Sequence, residues 1–191
     1  MSQTDQHDLF HDPLHSLERL LSHVDHRGVI IGGIAVSLLG QARFTEDLDA
    51  MVLLSIEEIP HFLKIAQQEG IEPRISQAEE FARRNRVLLL HHLASQTNID
   101  ISLGILPFEQ EMVARSEAYE IDEALSIRLP TPEDLIIMKA IAHRPKDLLD
   151  IQGIIQRHPQ LDRERIQEWV TQFADLLERP ELWDDIARWL S

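Results

Sequence analysis

Two aspartates separated by one residue, Asp47 and Asp49, stand at the start of the apolar run AMVLL. Successive side chains of a strand point to opposite faces, so both carboxylates would share one face, with their α-carbons roughly 6.6 Å apart. Asp100 alternates in the same way with the apolar residues Ile99 and Ile101. If these two strands are neighbours in a sheet, three carboxylates converge.

Three clustered carboxylates repel one another unless a cation lies between them. Mg²⁺ suits such a site, because it is commonly held by one or two carboxylates, with waters and substrate phosphates completing its shell. A simpler explanation is that Asp47 caps the end of a strand and Asp49 pairs with a nearby arginine. The Asp-x-Asp spacing alone favours this simpler explanation.

A glycine pair, Gly32 and Gly33, precedes these acids and lies between a strand-like segment and a helix-like one. Glycines allow backbone to approach a ligand closely, and the start of a helix offers free N–H groups to an anion. Arg43 and Thr45 follow the helix, where they would orient the acids, contact phosphate or hydrogen-bond the loop. Together these residues favour a site that handles both metal and phosphate.

Lys139 lies in the segment LIIMKAIA, which is apolar nearly all round and is therefore expected to be buried. A buried lysine must find an anion, reach water or lose its charge. A triphosphate oxygen would satisfy Lys139, and so would Asp147 or Asp150 on the next predicted helix. The sequence alone does not choose between these partners.

Periodicity and turn residues predict the elements that carry these side chains. The predicted strands are 28–31, 48–54, a hairpin of 87–90 with 99–103, and a short pair within 120–129. Helices are predicted over 14–24, after Gly33, over 56–68, from Thr131 to about His143, from about Pro145, over 166–177 and over 182–190. We therefore predict one compact unit, in which an α/β core with an N-terminal helix (1–129) carries a packed helical region (130–191).

The 191-residue chain has a globular composition, with 43% hydrophobic and 27% charged residues. Its net charge of −15 argues against general nucleic-acid binding, which relies on Lys and Arg. We expect neither a membrane span nor a secretory signal, and the lack of cysteine fits a cytoplasmic location.

Histidines near the N-terminus show a second chemical pattern. His7, His11 and His15 are spaced four apart and would align on a helix, which is compatible with metal binding. Asp12-Pro13 is expected to interrupt that helix. The interruption argues against a metal site there.

Taken together, the motifs GG at 32–33, RFTEDLD at 43–49, DIS at 100–102 and KAIAHRPKDLLDI at 139–151 resemble the nucleotidyltransferase superfamily. The closer resemblance is to small bacterial proteins of the AbiEii/AbiGii toxin type. It implies an α+β nucleotidyltransferase fold of the DNA-polymerase-β type, with a small mixed sheet, flanking helices and a C-terminal helical region. These toxins are usually longer than this chain.

The resemblance also implies roles for individual residues. Asp47, Asp49 and Asp100 would bind Mg²⁺ or Mn²⁺, and Asp100 would help to activate the acceptor. Gly32 and Gly33 would cradle the phosphates, with Arg43 and Thr45 near them. Lys139 would neutralise phosphate charge, and Asp147 would belong to the nucleotide site.

The activity implied is transfer of a nucleotidyl group from a nucleoside triphosphate such as ATP to an acceptor hydroxyl. An RNA end, a protein and a small molecule are all candidate acceptors, and the negative charge disfavours tRNA. A toxin with an antitoxin partner is one expectation. The alternatives are a non-catalytic nucleotide-binding module and an antitoxin-like enzyme that modifies a partner protein.

Overall fold

The computed structural model describes residues 3–190, with side chains from His11 onward. The chain divides into two units. Unit 1 consists of Met1–Ile34 and Phe44–Leu129, and unit 2 consists of Ala35–Arg43 and Pro130–Ser191. No helix within the described range is long and apolar enough to cross a membrane.

Strands and helices alternate along unit 1, whereas the elements of unit 2 are helices. The strands are β1 (Gly28–Ile31), β2 (Asp47–Val52), β3 (Ile71–Pro73), β4 (Val87–His92), β5 (Asn98–Leu103), β6 (Glu117–Glu120) and β7 (Ser126–Leu129). The helices are α1 (Gln3–Ser22), α2 (Gly32–Leu39), α3 (Ile59–Gln68), α4 (Ala78–Asn85), α5 (Pro107–Arg115), α6 (Pro132–Ala142), α7 (Pro145–Arg157), α8 (Arg163–Leu177) and α9 (Glu181–Leu190).

Unit 1 contains a five-stranded mixed sheet with the order β1-β2-β5-β4-β3. Strands β2 and β5 are parallel, whereas the other neighbours are antiparallel. Strands β6 and β7 form a separate antiparallel pair. The predicted mixed sheet and the hairpin of 87–90 with 99–103 are therefore confirmed. The second pair exists, but β6 lies at Glu117–Glu120, before the predicted range of 120–129.

The core of unit 1 follows from the alternation of apolar residues along these strands. In β2 the buried residues Leu48 and Ala50 alternate with Asp47 and Asp49, which are partly exposed. All four residues of β1 are buried, as expected for a strand covered on both faces. The alternation thus sends apolar side chains into the core and leaves the acids on the other face.

The N-terminal helix is not interrupted at Asp12-Pro13, so that prediction is wrong. Helix α1 runs through Pro13 without interruption, although proline removes one backbone hydrogen bond from a helix. Beyond the proline, Leu14, Leu17 and Leu20 are almost completely buried. Their packing stabilises the helix against the lost bond. His7 lies outside the described side chains, whereas His11 and His15 share this continuous helix.

Three elements of unit 1 were not predicted from the sequence. Strand β3 has only three residues, which is too short for an alternating pattern. Helix α4 is mainly polar and buries only two alanines. Helix α5 begins where the Glu109 carboxylate accepts hydrogen bonds from the backbone N–H groups of Ile105 and Leu106, at 2.6 and 2.8 Å.

The helices of unit 2 lie where the sequence predicts them. Thr131 caps α6 by accepting a hydrogen bond from the backbone N–H of Asp134, and Pro132 occupies the first turn. His143 ends the helix in the left-handed conformation, and α7 then begins at Pro145. Local capping chemistry is thus sufficient to mark these boundaries.

One carboxyl group of α1, that of Glu18, is half-buried and only partly hydrogen-bonded. Its Oε2 atom has no hydrogen-bond partner among the described residues. The Oε1 atom lies 3.5 Å from His26 Nδ1. Burial raises the pKa of Glu18 to about 7, although the charge of Arg128 opposes the rise. Below about pH 7 the folded protein therefore keeps this carboxyl group mainly neutral.

Candidate active site

The sheet brings the three predicted acids together. In the parallel register of β2 and β5, Asp49 lies directly opposite Asp100, and Asp47 lies opposite Asn98. All three acids are partly exposed, whereas Leu48 between the first two is completely buried. One face of these two strands therefore carries a row of carboxylates.

Asp100 has an unusual electrostatic environment. Burial raises its pKa above the ordinary value, the Arg74 guanidinium opposes this, and the charges of Asp49 and Asp47 raise the pKa further. Arg74 donates a hydrogen bond from Nη2 to the Asp100 carboxylate. Burial and the like charges thus make ionisation of Asp100 costly, and one guanidinium offsets part of that cost.

The carboxylates are neighbours but do not form a closed cluster. Among the described side chains, their oxygen atoms do not make a group that lies entirely within 4.8 Å. Asp100 is bonded to Arg74, and Asp47 accepts a hydrogen bond of 3.0 Å from Asn98 Nδ2. Sequence reasoning missed both partners. Asn98 was detectable, because it lies two residues before Asp100 and so shares its face.

Thr45 lies close to the start of β2. Its hydroxyl donates a 3.2 Å hydrogen bond to the backbone carbonyl of Asp47. A Cβ atom placed on Gly33 would lie only 2.5 Å from the Thr45 hydroxyl oxygen. The absence of a side chain at Gly33 is therefore what allows Thr45 to hold the strand in this position.

Gly32 is constrained both by its backbone conformation and by a close contact with Asp49. Its φ of +64° is a conformation that favours glycine, and an added Cβ would lie 1.9 Å from the Asp49 carboxylate oxygen Oδ2. The glycine pair thus makes room for side chains of the site itself. Its predicted contact with phosphate stays a prediction, and the position of Gly32 at the start of α2 is compatible with it.

Unit 2 holds a separate cluster of charges around Lys139. The Lys139 ammonium lies 3.0 Å from both Asp147 and Asp150, and only 7% of its side chain is exposed. Arg43 donates two hydrogen bonds to Asp150, at 2.9 and 3.2 Å. Of the partners that the sequence left open for Lys139, the structure contains the two aspartates.

Asp147 is the most buried carboxylate of this cluster. Burial raises its pKa most strongly, yet hydrogen bonds from Arg144 and Lys139 outweigh that effect and lower the pKa below its ordinary value. The Arg144 backbone N–H also donates to Asp147, at 3.1 Å. Asp147 therefore remains ionised and fixes the start of α7.

The mixed five-stranded sheet, its helices and the helical C-terminal region form an α+β nucleotidyltransferase-like fold. The chain belongs to the family described as nucleotidyltransferase of unknown function (DUF6036), whose model matches residues 11–182. No curated protein sequence matches the chain significantly.

Solved structures of other proteins share this fold. The solution structure of the antibiotic-resistance factor ANT(2'')-Ia has a TM-score of 0.54 and 16% identity, and the match covers 93% of this chain and 95% of that one. An antigenic nucleotidyltransferase-like protein from Paracoccidioides brasiliensis has a TM-score of 0.54 and 18% identity, covering 94% and 93%. At these identities the similarity shows the fold alone.

Proposed function

We propose that this protein transfers a nucleotidyl group from a nucleoside triphosphate, with Mg²⁺ or Mn²⁺, to an acceptor hydroxyl. The observation that carries the proposal is the row of Asp47, Asp49 and Asp100 on two neighbouring strands, beside the Gly32 turn. Membership in a nucleotidyltransferase family supports the same reaction class.

The three acids fit a hard divalent cation. They supply only oxygen donors, which Mg²⁺ prefers. Burial is the main cause of the raised pKa of Asp100, and the charges of Asp49 and Asp47 add to it; a cation beside these acids would offset both effects. Arg74 donates its hydrogen bond to one Asp100 oxygen, Oδ1, so coordination through that oxygen requires it to leave Arg74. We therefore expect Arg74 to compete with the ion for Asp100.

In the proposed reaction the acceptor oxygen forms a bond to the α-phosphorus, and the bond to the leaving pyrophosphate breaks. Asp100 accepts the proton of the acceptor hydroxyl. A divalent cation held by Asp47, Asp49 and Asp100 would supply charge stabilisation to the reacting phosphate. Because such transfers depend mainly on positioning and charge, no nucleophilic side chain is required.

We retain Gly32, Gly33, Arg43 and Thr45 as predicted groups of the nucleotide site. Lys139 and Asp147 are retained as well, with one condition. Lys139 already lies between two carboxylates, so contact with a triphosphate would require it to give up part of that pairing. Variants must therefore separate a structural role of Lys139 from a role in binding phosphate.

For the acceptor we propose a small molecule. A structurally similar protein, ANT(2'')-Ia, has been solved in complex with adenylyl-2''-tobramycin, with a TM-score of 0.53, 14% identity, and 86% and 98% of the two chains covered. The net charge of −15 favours a cationic or neutral small molecule over RNA. The toxin role, an antitoxin partner and the cytoplasmic location stay predictions.

Transfer of label tests the proposal directly. Each of the four α-phosphate-labelled nucleoside triphosphates is incubated with Mg²⁺ and, separately, a small-molecule cell extract, total RNA and whole-cell protein. We expect label in the small-molecule fraction with the wild type, and none with Asp49→Asn. Glu46→Gln is the matched control, because Glu46 is an exposed acid in the adjoining loop and should leave transfer unchanged.

The other outcomes discriminate between the alternatives. Label in RNA would favour the toxin prediction, and label in protein would favour an enzyme that modifies a partner. Binding of Mg²⁺–triphosphate without transfer would favour a non-catalytic nucleotide-binding module. If neither transfer nor binding occurs, the proposed function is wrong.

A further inference from the structure

A second group of potential metal ligands lies in unit 1, on α1 and in the loop between β6 and β7. His11 and His15 are one helical turn apart on α1, and their ring centroids are 4.7 Å apart. Two histidines at this spacing face the same side of a helix, which is a common arrangement of zinc ligands. The continuity of α1 through Pro13 is what makes this pairing possible.

Asp122 completes the group from the loop. One of its oxygens, Oδ1, accepts hydrogen bonds from the backbone N–H groups of Ala124 and Leu125, at 2.7 and 3.0 Å. The other oxygen, Oδ2, lies 2.8 Å from His11 Nε2. The loop thus fixes the carboxylate through one oxygen and leaves the second directed at the histidine.

The donor atoms lie close enough for one ion. One ring nitrogen of each histidine and one carboxylate oxygen of Asp122 all lie within 4.8 Å of one another. Zn²⁺ bonds of about 2.0–2.1 Å in tetrahedral geometry separate neighbouring ligand atoms by about 3.3 Å. Side-chain movements of at most about 1.5 Å would therefore close the site, and all three residues are at least partly exposed.

We propose that His11, His15 and Asp122 bind one Zn²⁺-class transition-metal ion that joins α1 to the loop between β6 and β7. Two imidazoles and one carboxylate favour such an ion over Mg²⁺, which prefers oxygen ligands alone. Three protein ligands leave the fourth position to water. Because His11 and Asp122 are 111 residues apart, the ion would bind the folded chain and stabilise it.

The test is titration of the whole protein with Zn²⁺ by calorimetry, and with Co²⁺ by visible absorption, both in excess Mg²⁺. We expect one ion per chain for the wild type. His15→Gln and Asp122→Asn each remove a metal ligand. Removal of a residue that only hydrogen-bonds to a ligand typically weakens metal affinity by roughly 10- to 100-fold, so the affinity of these variants for Zn²⁺ should fall by more than that. His61→Gln, at an exposed histidine of α3, is the matched control and should bind as the wild type does.

Thermal unfolding gives an independent readout. Zn²⁺ should raise the melting temperature of the wild type and of His61→Gln, but not of His15→Gln or Asp122→Asn. Melting without metal checks that the variants fold, and the amide oxygen that Asp122→Asn introduces can still accept the backbone hydrogen bonds. Asp49→Asn should bind Zn²⁺ normally, which separates this site from the proposed active site.

Two results would overturn the proposal. One is that the wild type does not bind Zn²⁺ or Co²⁺ at all. The other is that His15→Gln and Asp122→Asn bind these ions as tightly as the wild type.

Discussion

Replacement of Gly32 by alanine tests how closely the backbone turn and the acids depend on each other. The added Cβ would lie 1.9 Å from Asp49 Oδ2 and 2.6 Å from Asp49 Cβ. Rotation of the carboxylate relieves the first contact but not the second, because the Cβ is attached directly to the backbone of β2. Ile31, the residue before Gly32, is the register partner of Asp49. The two strands must therefore shift.

The magnitude follows from two contributions. A φ of +64° costs alanine about 1–2 kcal/mol relative to its preferred conformations. Forcing a methyl group into occupied space typically costs about a further 1–3 kcal/mol. Gly32→Ala should therefore lower the free energy of unfolding by about 2–5 kcal/mol.

Gly70→Ala is the matched control. Gly70 has a φ of +73°, and a Cβ placed there meets no described heavy atom within 4 Å. This variant should show only the conformational cost of about 1–2 kcal/mol. Urea unfolding measures both variants, and calorimetric titration with Mg²⁺–ATP measures binding. We expect Gly70→Ala to bind as the wild type does and Gly32→Ala to bind at least about tenfold more weakly, a loss of about 1.4 kcal/mol.

The result that refutes this reasoning is equal behaviour of the two variants. If Gly32→Ala is no less stable than Gly70→Ala and binds Mg²⁺–ATP as tightly, Gly32 does not position Asp49. Weaker stability with unchanged binding would confirm the steric contact and remove Asp49 from the nucleotide site.

Three further predictions concern charged groups. The pKa of Glu18 is 4.5 in the unfolded chain and about 7 in the folded protein. Between these two pH values the folded protein keeps a proton on Glu18 that the unfolded chain has released. The contribution of Glu18 to stability therefore falls as the pH rises through this range. Glu18→Gln should therefore exceed the wild type in urea stability above about pH 7 by up to about 3 kcal/mol and match it at about pH 4. Arg74→Met should enlarge the rise in melting temperature that Mg²⁺ produces, because the ion no longer competes with the guanidinium for Asp100. Lys139→Met should lower the free energy of unfolding by about 1–3 kcal/mol without any nucleotide, because it removes the cation that Asp147 and Asp150 share while Arg144 and Arg43 remain bound to them.

A specific result would contradict each of these three predictions. Parallel pH profiles of Glu18→Gln and the wild type would show that Glu18 ionises normally. Arg83→Met, at a more exposed arginine of α4, should leave the Mg²⁺ effect unchanged, and a smaller effect in Arg74→Met would contradict the competition. Lys64→Met, at an exposed lysine of α3, should be nearly neutral, and equal stability of Lys139→Met would exclude a structural role for Lys139.

Much of the fold was predictable because its signals are local. The alternation of Asp47, Leu48 and Asp49 predicts which side chains share a face, whatever the strand pairs with. The Thr131-Pro132 start of α6 likewise depends on chemistry within one turn. The three-residue β3 and the polar α4 have no such local pattern of apolar residues, and they were not predicted.

The partners of the site residues were less predictable, because they come from distant parts of the chain. Sequence reasoning stated the meeting of Asp49 and Asp100 only as a condition, and the parallel pairing of β2 with β5 fulfils it. Arg74 reaches Asp100 because it follows β3 directly, and the pairing of β3 with β4 brings it close to β5. No local sequence pattern predicts this contact.

The sequence by itself determined the chemistry available: three acids alternating with core residues, a glycine turn before them and a lysine in an apolar helix. It even predicted that Lys139 is buried, because an apolar surround follows from helical periodicity. Only the tertiary structure decided which charges meet. Strand order paired Asp49 with Asp100, and the helices of unit 2 joined Lys139 to Asp147 and Asp150. Burial is a property of a segment, whereas a contact depends on how distant segments pack.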